Sequence, residues 1–234
     1  MLEIKNLYAS IDRMPIISDI SMKVEDGQIV SLIGANGAGK TTLVRVLTKL
    51  NPIASGTILW NGEDVTAYPA DRLVNMGLIH VPEGRALFPR MTVKENLDIG
   101  AYCRSAREKA DENLRFVYSL FPELKEMSGK AAGNLSGGQQ QMVAIGRGIM
   151  ADPRLLILDE PSIGLSPLMT QKVLKAVQAI RSKGVSVLIS EQNVKAVLNM
   201  ADYAYVIEQG KIVLSGPAED LIDNEAVKKA YIGM

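Results

Sequence analysis

The 234-residue sequence contains one cysteine, one histidine and no excess of either charge. A lone Cys103 excludes an internal disulfide and suits a reducing compartment, and it reads as a small buried apolar side chain rather than a reactive thiol. Lys plus Arg and Asp plus Glu number 26 each, so no global field draws the chain to nucleic acid or to an anionic membrane surface. No run reaches the roughly 18 apolar residues of a membrane-spanning helix, and Met1 to Asp12 lack a basic region followed by an apolar stretch. The expectation is a chain that neither spans a membrane nor is exported. Internal repeats, low-complexity linkers and sustained heptads are also missing. His80 sits in a strand-like run and reads as a packed or edge residue. What is present, 47% hydrophobic and 22% charged residues, is the composition of an ordinary globular protein.

Hydrophobic patterning predicts one α/β domain over 1–234 that carries a smaller subdomain. Leu2 to Val30 holds short alternating runs, Leu2 and Ile4 and then Ile20, Met22 and Val24, which predict antiparallel strands at a sheet margin. Gln28 to Ile33 is an apolar strand leading straight into the glycine-rich stretch Gly34 to Gly39. Leu43, Val46, Leu47 and Leu50 then recur at helical spacing until Asn51-Pro52. Thr57 to Trp60 followed by Asn61-Gly62 reads as one arm of a hairpin, with Trp60 in a packing role. Residues 84–150 have helical periodicity around a loop at Met127 to Leu135 and form the expected subdomain, inserted between 1–83 and 151–234. Leu155 to Leu158 is an uninterrupted apolar run, as a strand buried on both faces requires. A helix (Pro167 to Ser182), a strand (Val185 to Ile189), a helix (Asn193 to Met200) and a strand (Tyr203 to Glu208) then alternate, implying a parallel sheet flanked by helices. Gln209-Gly210 turns the chain into Ile212 to Leu214, and helix from about Ala218 to Ile232 closes it.

Gly34-Ala35-Asn36-Gly37-Ala38-Gly39-Lys40-Thr41-Thr42 fits the phosphate-binding pattern G-x-x-x-x-G-K-[ST], set between a strand and a helix as its mechanism needs. Glycines let the backbone aim N–H groups inward, and the helix N-terminus adds positive partial charge. Gly34, Asn36, Gly37, Ala38, Gly39, Lys40, Thr41 and Thr42 are therefore the expected ATP-binding residues, with Lys40 reaching the β- and γ-phosphates and the Thr41 hydroxyl ligating Mg²⁺. The alternative is a plain glycine-rich turn. Leu155 to Glu160 would deliver two carboxylates at the C-terminal end of a buried strand, where ligands of parallel sheets bind. Asp159 is the candidate Mg²⁺ holder, through water, and Glu160, expected on the opposite face, the candidate general base. A P-loop NTPase fold with a mostly parallel sheet, an antiparallel β margin and an inserted helical subdomain follows.

Leu135-Ser136-Gly137-Gly138-Gln139 opens the last helix of the helical segment, where Ser136 alone would be an ordinary N-cap. With the P-loop and the carboxylate strand in this order, the chain resembles the ATP-binding cassette (ABC) family over nearly its full length. The resemblance implies that Ser136, Gly137, Gly138 and Gln139 contact ATP held by a facing protomer. Within the family it is similar to the shorter ATPase of branched-chain amino-acid importers. Val81-Pro82-Glu83-Gly84-Arg85 has Glu83 where most cassettes have a glutamine sensing Mg²⁺ and γ-phosphate. Ser166 stands where most have aspartate, and Gln192 where most have the switch histidine. Gln192 can donate a hydrogen bond to the γ-phosphate but carries no proton. Ile11 occupies the place of the aromatic residue that stacks on adenine.

The resemblance further implies ATP hydrolysis, integral-membrane permease subunits and a second cassette as partners, and indirect work with an extracytoplasmic solute-binding protein. It implies a peripheral position at the cytoplasmic face of the inner membrane, no nucleic acid, and a permease-receiving groove built from Gly84 to Leu97 with Phe88, Pro89 and Met91. A urea or amide importer, another amino-acid importer, and a soluble cassette of translation, DNA repair or cluster assembly are the alternatives. A small-molecule kinase with the same P-loop leaves the Ser136 motif and Glu160 unexplained.

Overall fold

A computed structural model describes residues 1–228. Its strands form two sheets. β1 (Leu2–Ile11) and β2 (Met14–Val24) pair antiparallel from Leu2↔Val24 to Ile11↔Met14. They are joined by Asp12 and Arg13, both in the left-handed region. β1 also pairs with β4 (Ser55–Trp60), which turns through Asn61 (φ 51°) and Gly62 (φ 82°) into β5 (Glu63–Asp64). Positive φ at both turn residues suits the right-handed twist of a hairpin. Trp60 is buried, as its packing role requires. The antiparallel strands thus form a separate four-stranded sheet, β2-β1-β4-β5, instead of merely edging the parallel one.

The second sheet has the order β10-β9-β3-β8-β7-β6. β3 (Ile29–Ile33), β6 (Leu78–Val81), β7 (Leu155–Asp159), β8 (Ser186–Glu191) and β9 (Tyr203–Glu208) run parallel, and β10 (Lys211–Pro217) closes one edge antiparallel to β9. Every residue of β3, β7 and β8 is buried, which explains the apolar run Leu155 to Leu158 of β7 and the mostly apolar interiors of the other two. β8 reaches past Ile189 to Ser190 and Glu191, two polar residues beyond the predicted strand.

α1 (Lys40–Leu47) ends a turn earlier than its apolar spacing predicts. Lys49 turns left-handed (φ 60°), Leu50 N–H and Asn51 N–H both donate to Arg45 O, and Leu50 is left exposed. After α2 (Ala70–Asn75) and β6, the helical segment runs through α3 (Val93–Gly100), α4 (Arg104–Glu108), α5 (Ala110–Leu120), α6 (Pro122–Glu126), a 3₁₀ turn (Ala132–Asn134) and α7 (Gly137–Met150). Cys103, just before α4, is half-buried against the core. Residues 84–150 contain no strand, only an isolated bridge between Thr92 and Ala131. Their apolar side chains, such as Leu97, Val117 and Ile145, join one continuous core with Leu156 and Ile189 of the sheet. α8 (Pro167–Ser182) and α9 (Val194–Leu198) are the crossover helices. The C-terminal helix is broken at Asn224 into α10 (Ala218–Asp223) and α11 (Glu225–Val227), and its expected continuation to Ile232 lies outside the described residues.

The turn between β9 and β10 supports the glycine-rich loop. Gly210 N–H donates to Ala38 O at 2.8 Å, and Gly210 O accepts from Ser18 N–H at 2.9 Å. Gly210 has φ +75°, and a Cβ there would sit 1.7 Å from Ile16 O. Gly210→Ala must therefore displace backbone on β2 as well as strain its own. A loss of about 3 kcal/mol is expected, read as a lower denaturant midpoint and accompanied by weaker nucleotide binding.

Candidate active site

The parallel register sets the polar ends of three strands side by side. Ile33 pairs with Glu191, and Asp159 pairs with Ser190, so the loop after β3 faces the carboxylates at the end of β7. Gly34 is pressed against the sheet, where a Cβ would meet Ile207 O at 2.3 Å. Gly37 and Gly39 have φ of +77° and +108°. Gly39 caps α1 without a side-chain acceptor, so the helix opens on uncapped backbone N–H groups. Those donors and the helix dipole favour an anion.

Lys40 is buried, and its ammonium donates to Gly34 O (2.8 Å) and Ala35 O (3.2 Å) and pairs with Glu160 Oε1 at 3.0 Å. Thr41 Oγ1 donates to Asp159 Oδ1 at 3.2 Å, and Ser190 Oγ donates to the same oxygen at 2.6 Å. The expectation that Glu160 points to the face opposite Asp159 is corrected. Glu160 lies past the strand end with φ 48°, its N–H donating to Ser190 O and Oγ, and that left-handed turn brings its carboxylate round to Lys40. Strand alternation stops applying at that residue.

A cleft of about 470 Å³ is lined by Asn36, Gly37, Gly39, Lys40, Thr41 and Thr42 and, opposite them, by Glu83, Glu160, Ile163 and Gln192. Asp159, Gly34 and Ala38 are not among the lining residues; Asp159 reaches the cleft through Thr41, and the Gly34 carbonyl accepts from Lys40. Ile11 is not among the lining residues. It sits exposed at the end of β1 opposite the exposed Met14, and the same hairpin sends Ile16 into the cleft. Ser136 to Gln139 also line no part of it. Ser136 caps α7 in a reciprocal box, its Oγ accepting from Gln139 N–H while Gln139 Oε1 accepts from Ser136 N–H. Ser166 caps α8 in the same way as an ordinary N-cap. His80 lies on the edge strand β6, facing a groove of about 450 Å³ that includes Leu73, Phe88 and Arg147, and burial lowers its pKa.

Ser190 and Glu191 escaped the motif reading. Ser190 touches both Asp159 and the Glu160 backbone, and Glu191 accepts from Ser162 N–H (3.0 Å) and Ser162 Oγ–H (2.8 Å), fixing the loop after Glu160. Two polar residues ending an apolar strand beside the carboxylate strand were the available signal.

Among the described residues no cluster of three or more His, Cys, Asp or Glu could hold a metal. Mg²⁺ binds through one or two protein oxygens and substrate phosphates and keeps several waters. Thr41 and Asp159 supply such hard donors. Among the described residues no helix is long and apolar enough to cross a membrane.

Burial, the Ser162 hydrogen bonds notwithstanding, raises the Glu191 pKa above its ordinary 4.5, with the Glu160 charge adding to the rise. The folded state therefore keeps this proton to higher pH than the unfolded chain. Stability is expected to fall as pH rises from about 4.5 through the elevated pKa and to level off above it. Urea melts of Glu191→Gln across this window should lack that slope.

Residues 17–163 match the family described as ABC transporter. The chain is 41% identical over its whole length to the high-affinity branched-chain amino acid transport ATP-binding protein BraG of Pseudomonas aeruginosa, covering all of that protein. It is 34% identical, again over its whole length, to the lipopolysaccharide export system ATP-binding protein LptB of Haemophilus influenzae, covering 97% of it. The crystal structure of the ADP conformation of MJ1267, an ATP-binding cassette of an ABC transporter, superposes with a TM-score of 0.85 at 28% identity, covering 100% of this chain and 99% of that one.

Proposed function

The chain belongs to the ABC transporter family, and on that premise we propose that it drives the uptake of branched-chain amino acids by hydrolysing ATP in the cleft between Lys40 and Glu160. The observation that carries the chemistry is the pairing across that cleft: Lys40 and Thr41 at the N-terminus of α1 meet Glu160 and Asp159 at the end of β7. The transport reading rests on full-length likeness to BraG.

The glycine-rich loop and the uncapped turn of α1 seat the triphosphate, with Asn36, Gly37, Thr41 and Thr42 around it. Lys40 exchanges its present acceptors for phosphate oxygens. That exchange matters twice, since it neutralises the phosphates and frees the Glu160 carboxylate from its ion pair with Lys40. Glu160 then takes the proton of the attacking water, while Ser190 keeps its backbone in place. Thr41, Asp159 and Glu83 are the residues that would hold Mg²⁺, which would supply charge neutralisation on the transferred phosphoryl. Gln192, which lines the cleft, donates to the γ-phosphate. The exposed apolar hairpin end with Ile11 and Met14 offers adenine a flat contact without an aromatic ring.

Ser136 to Gln139 stand outside the cleft; as the likeness to the family implies, they serve the site of a facing cassette, and two chains or a chain and a related partner close head to tail around two ATP molecules. Closure excludes water and strengthens the electrostatics on the phosphoryl group. Residues 84–150 form the subdomain that moves against 1–83 and 151–234, and the groove with Phe88, which is 47% exposed, receives a permease segment at the cytoplasmic face of the inner membrane. An extracytoplasmic binding protein acts on the far side of the permease.

Tagged chain from its own cells is expected to copurify with integral-membrane subunits, and its deletion to abolish uptake of labelled leucine, isoleucine and valine. Unchanged uptake overturns the substrate assignment. Glu160→Gln should lower turnover at least about a hundredfold and trap an ATP-bound dimer in size-exclusion chromatography. A Glu160→Gln protein that stays monomeric with Mg²⁺, ATP and its partner cassette overturns the shared site. Phe88→Ala is expected to lose uptake while keeping ATPase activity, and equal loss of both overturns the docking role.

A further inference from the structure

Two consecutive non-glycine residues, Arg85 (φ 59°) and Ala86 (φ 46°), adopt the left-handed conformation just after Glu83. Such a pair persists only where its surroundings hold it. α7 does so from both ends of the contact. Arg147 donates through Nη1 to Ala86 O (2.8 Å) and through Nη2 to Arg85 O (2.9 Å). In return, Arg85 donates through Nη1 to Gln140 Oε1 (3.1 Å) and through Nε to Gln141 Oε1 (3.3 Å). Gln141 is buried at 2% exposure, so its oxygen is a fixed anchor. The Arg85 guanidinium also lies against Gly137, where a Cβ would come within 3.3 Å of both terminal nitrogens. On the other side, a Cβ at Gly138 would meet Met169 Cε at 2.7 Å. Each glycine after Ser136 therefore has its own close neighbour, and one of those neighbours comes from the segment that lines the ATP cleft.

We infer that Arg85 is a positioning residue that couples the Glu83 end of the cleft to the N-terminus of α7, setting the angle at which Ser136 to Gly138 are offered to a facing cassette. This rests on the shared-site reading above. The planar fork of Arg85 spans two adjacent amide oxygens and lies flat on Gly137 at once. A lysine ammonium is a compact point charge with neither the span nor the flat face, so Arg85→Lys keeps the charge and breaks the coupling. The cleft residues are untouched by this change, so ATP still binds its own loop.

The test is a double-mutant cycle of Arg85→Lys and Gln140→Leu, read as ATP affinity of the isolated chain and as kcat and KM of the assembled transporter. Affinity is expected to stay within about twofold of wild type, while each single variant lowers kcat about tenfold with little change in KM, and the double variant no further. Gln140→Leu probes the contact from the helix side and leaves the left-handed backbone of Arg85 intact, so the cycle is informative even if Arg85→Lys unfolds. Losses that multiply in the double variant, an equal fall in ATP affinity, or wild-type kcat in Gln140→Leu each overturn the coupling. Ser136→Arg separates the two levels. If it blocks turnover while the Arg85 and Gln140 variants behave as wild type, the coupling alone fails; if it leaves turnover intact, the shared site itself fails.

Discussion

Lys40 and Glu160 meet at 3.0 Å with side-chain exposures of 4% and 5%, and much of the chain is arranged so that this buried pair can exist. Withdrawing an isolated charge from water costs several kcal/mol, and the loss is offset only where each ion finds its opposite and its remaining hydrogen bonds. Lys40 has two loop carbonyls besides its carboxylate, and the Glu160 backbone is held by Ser190. These partners arrive from β3, β7 and β8, and only a parallel register brings those three strand ends together. A carboxylate pair facing an ammonium and a hydroxyl is then left in a cleft that an anionic, metal-bearing substrate can enter and rearrange.

α7 joins this chemistry to the rest of the molecule. Its first turn carries Ser136 to Gln139, its middle holds Arg85 through two glutamines, and its later turn holds the backbone of Arg85 and Ala86 through Arg147. The Arg147 guanidinium also lies 6.0 Å over the Phe88 ring, and Asn96, fully buried, accepts from Phe88 N–H and donates to Phe88 O. One helix therefore borders the loop after Glu83, carries the Ser136 to Gln139 turn at its start and lines the groove that holds Phe88.

The sequence made the parallel architecture legible because buried strands leave uninterrupted apolar runs, as at Leu155 to Leu158, and because Gly34 to Thr42 has few other reasons to occur between a strand and a helix. Legibility fails where the backbone leaves its regular period. Glu160 turns left-handed and so defeats the alternation that predicted its direction. Leu50 keeps helical spacing after the helix has ended at a left-handed Lys49. Ser190 belongs to no motif, and its importance arises from pairing across strands with Asp159, a relation that spacing along one strand does not encode. Arg85 closes the Val81 to Arg85 stretch without a role of its own in the sequence, and φ 59° swings it onto α7. The separate antiparallel sheet likewise depends on β4 choosing β1, a partner far away along the chain.

The turn at Gly210 that props up the glycine-rich loop has a consequence for the order of events during synthesis. Thr41 meets Asp159 across 118 residues, the Ile29 N–H finds its acceptor on Asp202 across 173, and the Ala38 carbonyl accepts from Gly210. A chain emerging N-terminus first carries its phosphate-binding motif out of the ribosome long before any of these partners exists. Local helices such as α5 and α7 can form on the way, but the cradle closes only when nearly the whole polypeptide is free, because loops this long must be closed before their contacts contribute. A truncated or stalled product that displays the full glycine-rich sequence therefore lacks the strand ends and the turn that shape it, and nucleotide binding marks a chain whose synthesis has passed Gly210.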